Sequence, residues 1–192
     1  MKIGVLALQG DFAEHIVILK RIGVETAEVR LPEHLDGLSG LIIPGGESTT
    51  IGKLAVAYNL IEPLQRFSQQ RAVWGTCAGA IFLSREAHRH QPLLQAMNIV
   101  VARNAFGRQV NSFEVNLDVP ALKEVDPSGL PFPAVFIRAP MIEVVEEPAY
   151  VLARLADGTV VAARQERMLA ISFHPELTSD DRFHRYFIHM AT

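Results

Sequence analysis

The sequence predicts an α/β domain built on a mainly parallel sheet. Two observations carry this: strand-length apolar runs alternate with helix-period stretches through the first half of the chain, and shorter extended runs with turn residues between them follow in the second half. A third sets the scale. At 192 residues, with 49% apolar and 20% charged side chains, the chain is long enough to bury one full core, so residues 1–192 are expected to form a single domain.

Residues 2–8 are an apolar run of strand length, and residues 12–22 follow as an amphipathic stretch with Ile16, Leu19 and Ile22 on one face. That pairing reads as a first strand and its crossover helix. Strands are expected next at 25–30, 38–43 and 72–75, with helices after Ser48 and across 61–70. Beyond about Gln95 the runs at 110–117, 134–137, 151–155 and 159–164 shorten and carry turn signals such as Asp157-Gly158, which points to antiparallel strands added to the parallel core. Pro127, Pro131 and Pro133 mark a loop, since the flanking segments are too short for separate cores. A last strand at 168–173 leads into His174-Pro175-Glu176 and a final helix at about 180–189.

Composition removes several function classes. Net charge is −3 and there is no lysine or arginine run to neutralise a row of phosphates, so nucleic acid is not an expected ligand. The single cysteine excludes an internal disulfide and suits a reducing compartment. The apolar N-terminus is too short to span a bilayer and lacks the layout of a signal peptide, which makes the cytoplasm the expected location.

The chemistry concentrates at three strand ends. Gly75-Thr76-Cys77-Ala78-Gly79 sets the cysteine on a strand-to-helix turn with glycine two residues away on each side, the shape of a nucleophile elbow. A side chain at Gly75 or Gly79 is expected to collide with neighbouring backbone. The helix start offers unpaired N–H groups, Ala78 first among them, to a developing oxyanion. Without those glycines Cys77 would read as a small buried hydrophobe. His174-Pro175-Glu176 follows a strand, and in an extended segment residues i and i+2 share a side, so the imidazole and the carboxylate become neighbours as base and orienter. Alone, that tripeptide would equally suit a solvated loop histidine. Pro44-Gly45-Gly46-Glu47-Ser48 ends a third strand; its glycine N–H groups can complete an oxyanion hole, or simply serve a tight turn, and Ser48 or Thr49 suits a helix cap. Arg103, Arg108 and Arg138 are candidates for a substrate carboxylate, although most arginines are surface charges. His88 and His90 lack further metal ligands and read as solvated loop.

Together these segments resemble the class I, triad-type glutamine amidotransferases. Adding Leu8-Gln9-Gly10-Asp11, Arg103-Asn104-Ala105-Phe106-Gly107-Arg108-Gln109, Phe136-Ile137-Arg138-Ala139-Pro140 and Ser172-Phe173-His174-Pro175-Glu176-Leu177, the chain is similar from Ile3 to about Phe187 to the glutaminase subunits of pyridoxal 5′-phosphate synthase. The resemblance implies a three-layer α/β/α, flavodoxin-like fold and a triad of Cys77, His174 and Glu176. It implies an oxyanion hole from Gly45, Gly46 and Ala78, and glutamine contacts at Gly46, Glu47, Ser48, Arg103, Ile137 and Arg138. It further implies a partner lyase subunit that builds pyridoxal 5′-phosphate from ribose 5-phosphate, glyceraldehyde 3-phosphate and the released ammonia; Gln9, beside the sheet edge, is the residue expected from its position to transmit docking. No metal or cofactor of the chain's own is implied. Two departures stand out: Ala80-Ile81 follows the elbow where leucine is more usual at the first position, and the loop at 126–133 is atypical. A cysteine hydrolase of peptides or small amides, and a non-catalytic module that binds the lyase, are the competing readings; three intact triad residues argue against the second.

Overall fold

The computed structural model describes residues 1–103 and 112–192. Its first half alternates strands β1 (Lys2–Leu6), β2 (Glu25–Val29), β3 (Gly40–Ile43) and β4 (Ala72–Thr76) with helices α1 (Phe12–Arg21), α2 (Ser48–Ala57) and α3 (Ile61–Gln70); α4 (Ala78–Leu83) follows β4 directly. Then come β5 (Ser84–Glu86), β6 (Met97–Ala102), β7 (Ser112–Leu117), β8 (Phe132–Ile137), β9 (Met141–Val145), β10 (Tyr150–Arg154), β11 (Val160–Gln165), β12 (Met168–Ile171) and α5 (Arg182–Met190). The main sheet runs β2-β1-β3-β4-β12-β11-β9-β6-β5, with β10 on β11. The five strands from β2 to β12 are parallel, and antiparallel pairing begins at β11. The expected mixed sheet is therefore present.

Alternation along the central strands builds two cores, one on each face. Leu41, Ile43, Val73 and Ala170 face α2, α3 and α4, while Ile42, Trp74, Leu169 and Ile171 face α1 and α5. Period-two side chains buried on both faces are what a covered parallel sheet requires, and the result is three layers. Strand order reverses at β1, between β2 and β3, so the carboxyl ends of β1 and β3 border the crevice where open α/β sheets bind ligands.

Several details differ from expectation. The apolar face of α1 is His15, Ile18 and Leu19, with Ile16 only half-buried. Glu47, rather than Ser48 or Thr49, caps α2: its carboxylate accepts the Thr49 N–H at 3.2 Å, and Ser48 is already helical. Pro133 lies inside β8, where the two-stranded β7-β8 sheet has only edge strands and an N–H can be missing without cost to a ladder. That small sheet packs Phe132 and Phe136 against Phe173 and Phe183, which lie beneath the chain leading to His174. No helix among the described residues is long and apolar enough to cross a membrane.

Candidate active site

Cys77 stands between β4 and α4 with φ 46° and ψ −104°, a conformation that side-chain-bearing residues adopt at a cost of about 1–3 kcal/mol. Neighbouring backbone enforces it: the Cys77 N–H donates to the Ile171 carbonyl at 2.8 Å, and the Cys77 carbonyl accepts from Ala80 at 3.1 Å. The glycines on either side are sterically required. A Cβ at Gly75 would sit 2.5 Å from the Gly79 carbonyl, and one at Gly79 only 2.0 Å from the Ile43 carbonyl oxygen. Because both obstacles are backbone, Gly79→Ala is expected to force the elbow open at about 3 kcal/mol, lowering the melting temperature by about 6–12 °C. A thermal melt superimposing on wild type would contradict this packing.

His174 is buried and its backbone N–H donates to Val135 at 2.8 Å, so the β7-β8 sheet holds the base in place. Its Nδ1 lies 2.6 Å from Glu176 Oε1, and Cys77 is close enough to raise its pKa. With Nδ1 engaged by Glu176, Nε2 is the nitrogen left for sulfur. The neighbour relation expected of residues 174 and 176 is present, although a 3-10 turn at Pro175–Leu177 produces it rather than an extended strand. Burial alone would depress the His174 pKa, but hydrogen bonds to Cys77 and Glu176, with the negative charge on both, outweigh it and push the value up to about 10. Burial in turn pushes the Glu176 carboxyl up, against the hydrogen bond and charge of His174.

A cavity of about 280 Å³ opens onto these groups, lined by Cys77, Ala78 and His174 together with Gly46, Glu47, Ser48, Arg103, Ile137 and Arg138. All six expected glutamine contacts therefore reach it. Arg103 pairs with both Glu47 oxygens, at 2.7 and 2.9 Å. Arg138 has φ 45°, a left-handed conformation at the cavity rim. Gly45 occupies a different place from Gly46: a Cβ there would meet the His174 ring at 2.6 Å, so its small size is what admits the imidazole. The Glu47 N–H donates to Gln9 Oε1 at 2.7 Å. Arg108 lies outside the described residues. His88 is exposed and its Nε2 is 2.5 Å from Glu143.

Sequence reasoning missed several neighbours. Asp11 lies 3.7 Å from His174 Nδ1, and Gln91 exchanges hydrogen bonds with Ser48. Asp11, His174 and Glu176 are the one group among the described residues with three metal-capable side chains converging, and two of its members are already engaged with each other. Fully buried His15 and His184 also stand behind the triad. A histidine at 15 in register with 18, 19 and 22 on the helix was the available signal.

Burial keeps both of these histidines neutral: the His15 pKa lies well below the usual value, and that of His184 falls to about 3. At His184 an unfolded chain takes up a proton near pH 6.5 that the folded state refuses until about pH 3, so this part of the stability is intact above 6.5 and lost as pH falls toward 3. Between pH 7 and 5 wild type is expected to lose about 2 kcal/mol relative to a His184→Leu variant. Parallel urea-denaturation curves across that interval would refute it.

A family model describing the SNO glutamine amidotransferase family matches residues 5–192. The chain belongs to that family. Among relatives of this glutamine amidotransferase are two proteins named pyridoxal 5′-phosphate synthase subunit PdxT. That from Roseiflexus castenholzii is 55% identical over 194 residues, covering 99% of this chain and all of the relative. That from Herpetosiphon aurantiacus is 55% identical over 193 residues, covering 98% and 99%. A crystal structure titled as a glutamine amidotransferase superposes with a TM-score of 0.91 at 52% identity, covering 98% of each chain.

Proposed function

We propose that this amidotransferase is the glutaminase subunit of a pyridoxal 5′-phosphate synthase. It hydrolyses L-glutamine to L-glutamate through Cys77, His174 and Glu176 and delivers the ammonia to a partner lyase subunit. The observation that carries the reading is the line of Cys77, His174 and Glu176, with Glu176 hydrogen-bonded to His174, opening onto a cavity of about 280 Å³. A regulatory module that merely bound the lyase would need neither the line nor the cavity.

The thiolate of Cys77 attacks the side-chain amide carbon, and the developing oxyanion is held by the Ala78 N–H at the head of α4 and by the Gly45-Gly46 turn. His174, protonated at neutral pH because of its raised pKa, gives its Nε2 proton to the departing nitrogen, which leaves as ammonia. The neutral imidazole then takes a proton from water, hydroxide adds to the γ-glutamyl thioester, and collapse expels the Cys77 thiolate beside a reprotonated His174. Glu176 holds the ring throughout. Arg103, Arg138 and Ser48 hold the amino-acid end of glutamine, and Arg103 must exchange part of its pairing with Glu47 to do so.

Free ammonia would be protonated and lost in water, so delivery within a complex is the economical arrangement, and Gln9, bonded to the glycine turn, is placed to sense docking. The reading further takes residues 1–192 as one domain and the cytoplasm as the location. Mixing the purified chain with the lyase subunit of the same organism, ribose 5-phosphate, glyceraldehyde 3-phosphate and glutamine is expected to yield pyridoxal 5′-phosphate. Formation with ammonium salts but never with glutamine would overturn the proposal.

A further inference from the structure

Behind the triad runs a second line of polar side chains that the reaction above does not use. His15, from α1, places Nδ1 3.0 Å from His184 Nε2, on α5. Its other nitrogen, Nε2, lies 3.4 Å from Glu176 Oε2 and 3.4 Å from the Thr76 hydroxyl oxygen. Glu176 Oε2 has no ordinary hydrogen-bond partner among the described residues, so the His15 contact is what it has. The indole of Trp74 stands edge-on to both histidines, at centroid separations of 5.5 and 5.0 Å, and closes the line from that side.

Where the protons sit can be deduced. Both rings are neutral, so each carries one N–H. Suppose first that His15 Nδ1–H donates to His184 Nε2. His184 must then carry its proton on Nδ1, a buried atom without a partner among the described residues, and the lone pair on His15 Nε2, which the Thr76 hydroxyl can serve, also faces a carboxylate oxygen. In the opposite arrangement His184 Nε2–H donates to His15 Nδ1, and His15 Nε2–H lies between the Thr76 hydroxyl oxygen and Glu176 Oε2, each 3.4 Å away. All that is left over is one lone pair on His184 Nδ1. An unmet buried donor combined with lone pair against carboxylate is the costlier arrangement, so the second holds.

We propose that His15 is a positioning residue for the glutaminase triad: its Nε2–H donates to the Glu176 oxygen that His174 leaves free, and His184 sets the tautomer that makes this possible. The inference rests on the triad reading. Its physical need is plain, because a buried carboxylate with one oxygen unpaired is driven toward protonation and is free to rotate, and either change weakens its grip on the imidazole. The 3.4 Å contact is long for a hydrogen bond, as such contacts often are before substrate binds. The charged and titratable groups that face the pair are Glu176 and His174 at His15, and Asp181 and Arg21 at His184.

The test compares His15→Leu, His15→Gln and His15→Asn as glutaminases in the complex with the lyase subunit. Glutamine's side-chain nitrogen reaches about where Nε2 stands, whereas asparagine's stops near Nδ1. His15→Leu is expected to lower kcat about tenfold to a hundredfold with KM for glutamine within about twofold, and His15→Gln to recover to within about threefold of wild type. Leucine equal to wild type, or glutamine as slow as leucine while both melt like wild type, would overturn the proposal. If the leucine variant does not fold, a fast glutamine and a slow asparagine variant support it, and equal rates sink it. Cys77→Ala, run alongside, separates the two failures: its turnover of glutamine would bring down the triad itself, whereas an inactive Cys77→Ala beside unaffected His15 variants removes only the role given to His15.

Discussion

Cys77→Ala is expected to cut ammonia release from glutamine by about 10⁴-fold or more, with the melting temperature within a few degrees of wild type. No other sulfur exists in the chain as a thiol to substitute for it. Stability should survive because the elbow is held by backbone bonds to Ile171 and Ala80 and by the glycines, none of which involve the sulfur. Alanine also meets the same positive φ with a side chain no larger than cysteine's. A second readout follows from the electrostatics: contact with Cys77 is the first of the influences that raise the His174 pKa against burial, so its loss lowers that pKa from about 10. The imidazole resonances of the variant, followed by NMR through a pH titration, report this directly. Turnover at the wild-type rate, or an unmoved His174, would remove the sulfur from the reaction.

The parallel half of the fold was legible because its periodicities are long and consistent. α3 was expected at 61–70 and is Ile61–Gln70, and β4 was expected at 72–75 and is Ala72–Thr76. The triad was legible for a different reason: elbow glycines and a His-Pro-Glu tripeptide are local signals, and strand ends in such a fold lie on one edge. What escaped was β5, β6 and β9. Ser84–Glu86 is only three residues long, and Met97–Ala102 and Met141–Val145 take their strand identity from pairing with distant partners. The Glu47 cap escaped too, since Ser and Thr stood at better-looking positions and part of what holds the carboxylate, Arg103, comes from a distant segment to join Thr49. His15 and His184 were hidden by distance: they lie 169 residues apart, and only the packing of the first helix beside the last makes a polar line of two side chains that each read as part of an apolar face.

Glu176→Gln carries the other large effect, an expected loss of about 10³–10⁴-fold in kcat with KM for glutamine within a few fold. KM is spared because Glu176 lies behind His174 and does not line the cavity. The chemistry suffers because an amide can donate to Nδ1 where the carboxylate can only accept. Donation selects the tautomer with its proton on Nε2, facing the sulfur, so the ring cannot take a proton from Cys77 and gains no support when it becomes an imidazolium. Two opposing effects act on stability. Burial pushes the Glu176 carboxyl up, so holding it ionised at neutral pH works against folding, and the neutral amide is relieved of that cost. Linkage gives a further sign. A His174 pKa raised to about 10 contributes stability that is complete below the unfolded value of 6.5 and disappears as pH rises through 10. Without the carboxylate that pKa falls, so the variant's denaturation midpoint should decline less between pH 7 and 10 than wild type's. A protein that remains folded at neutral pH yet turns over a thousandfold more slowly identifies a group that serves catalysis; activity within tenfold of wild type would deny Glu176 that place.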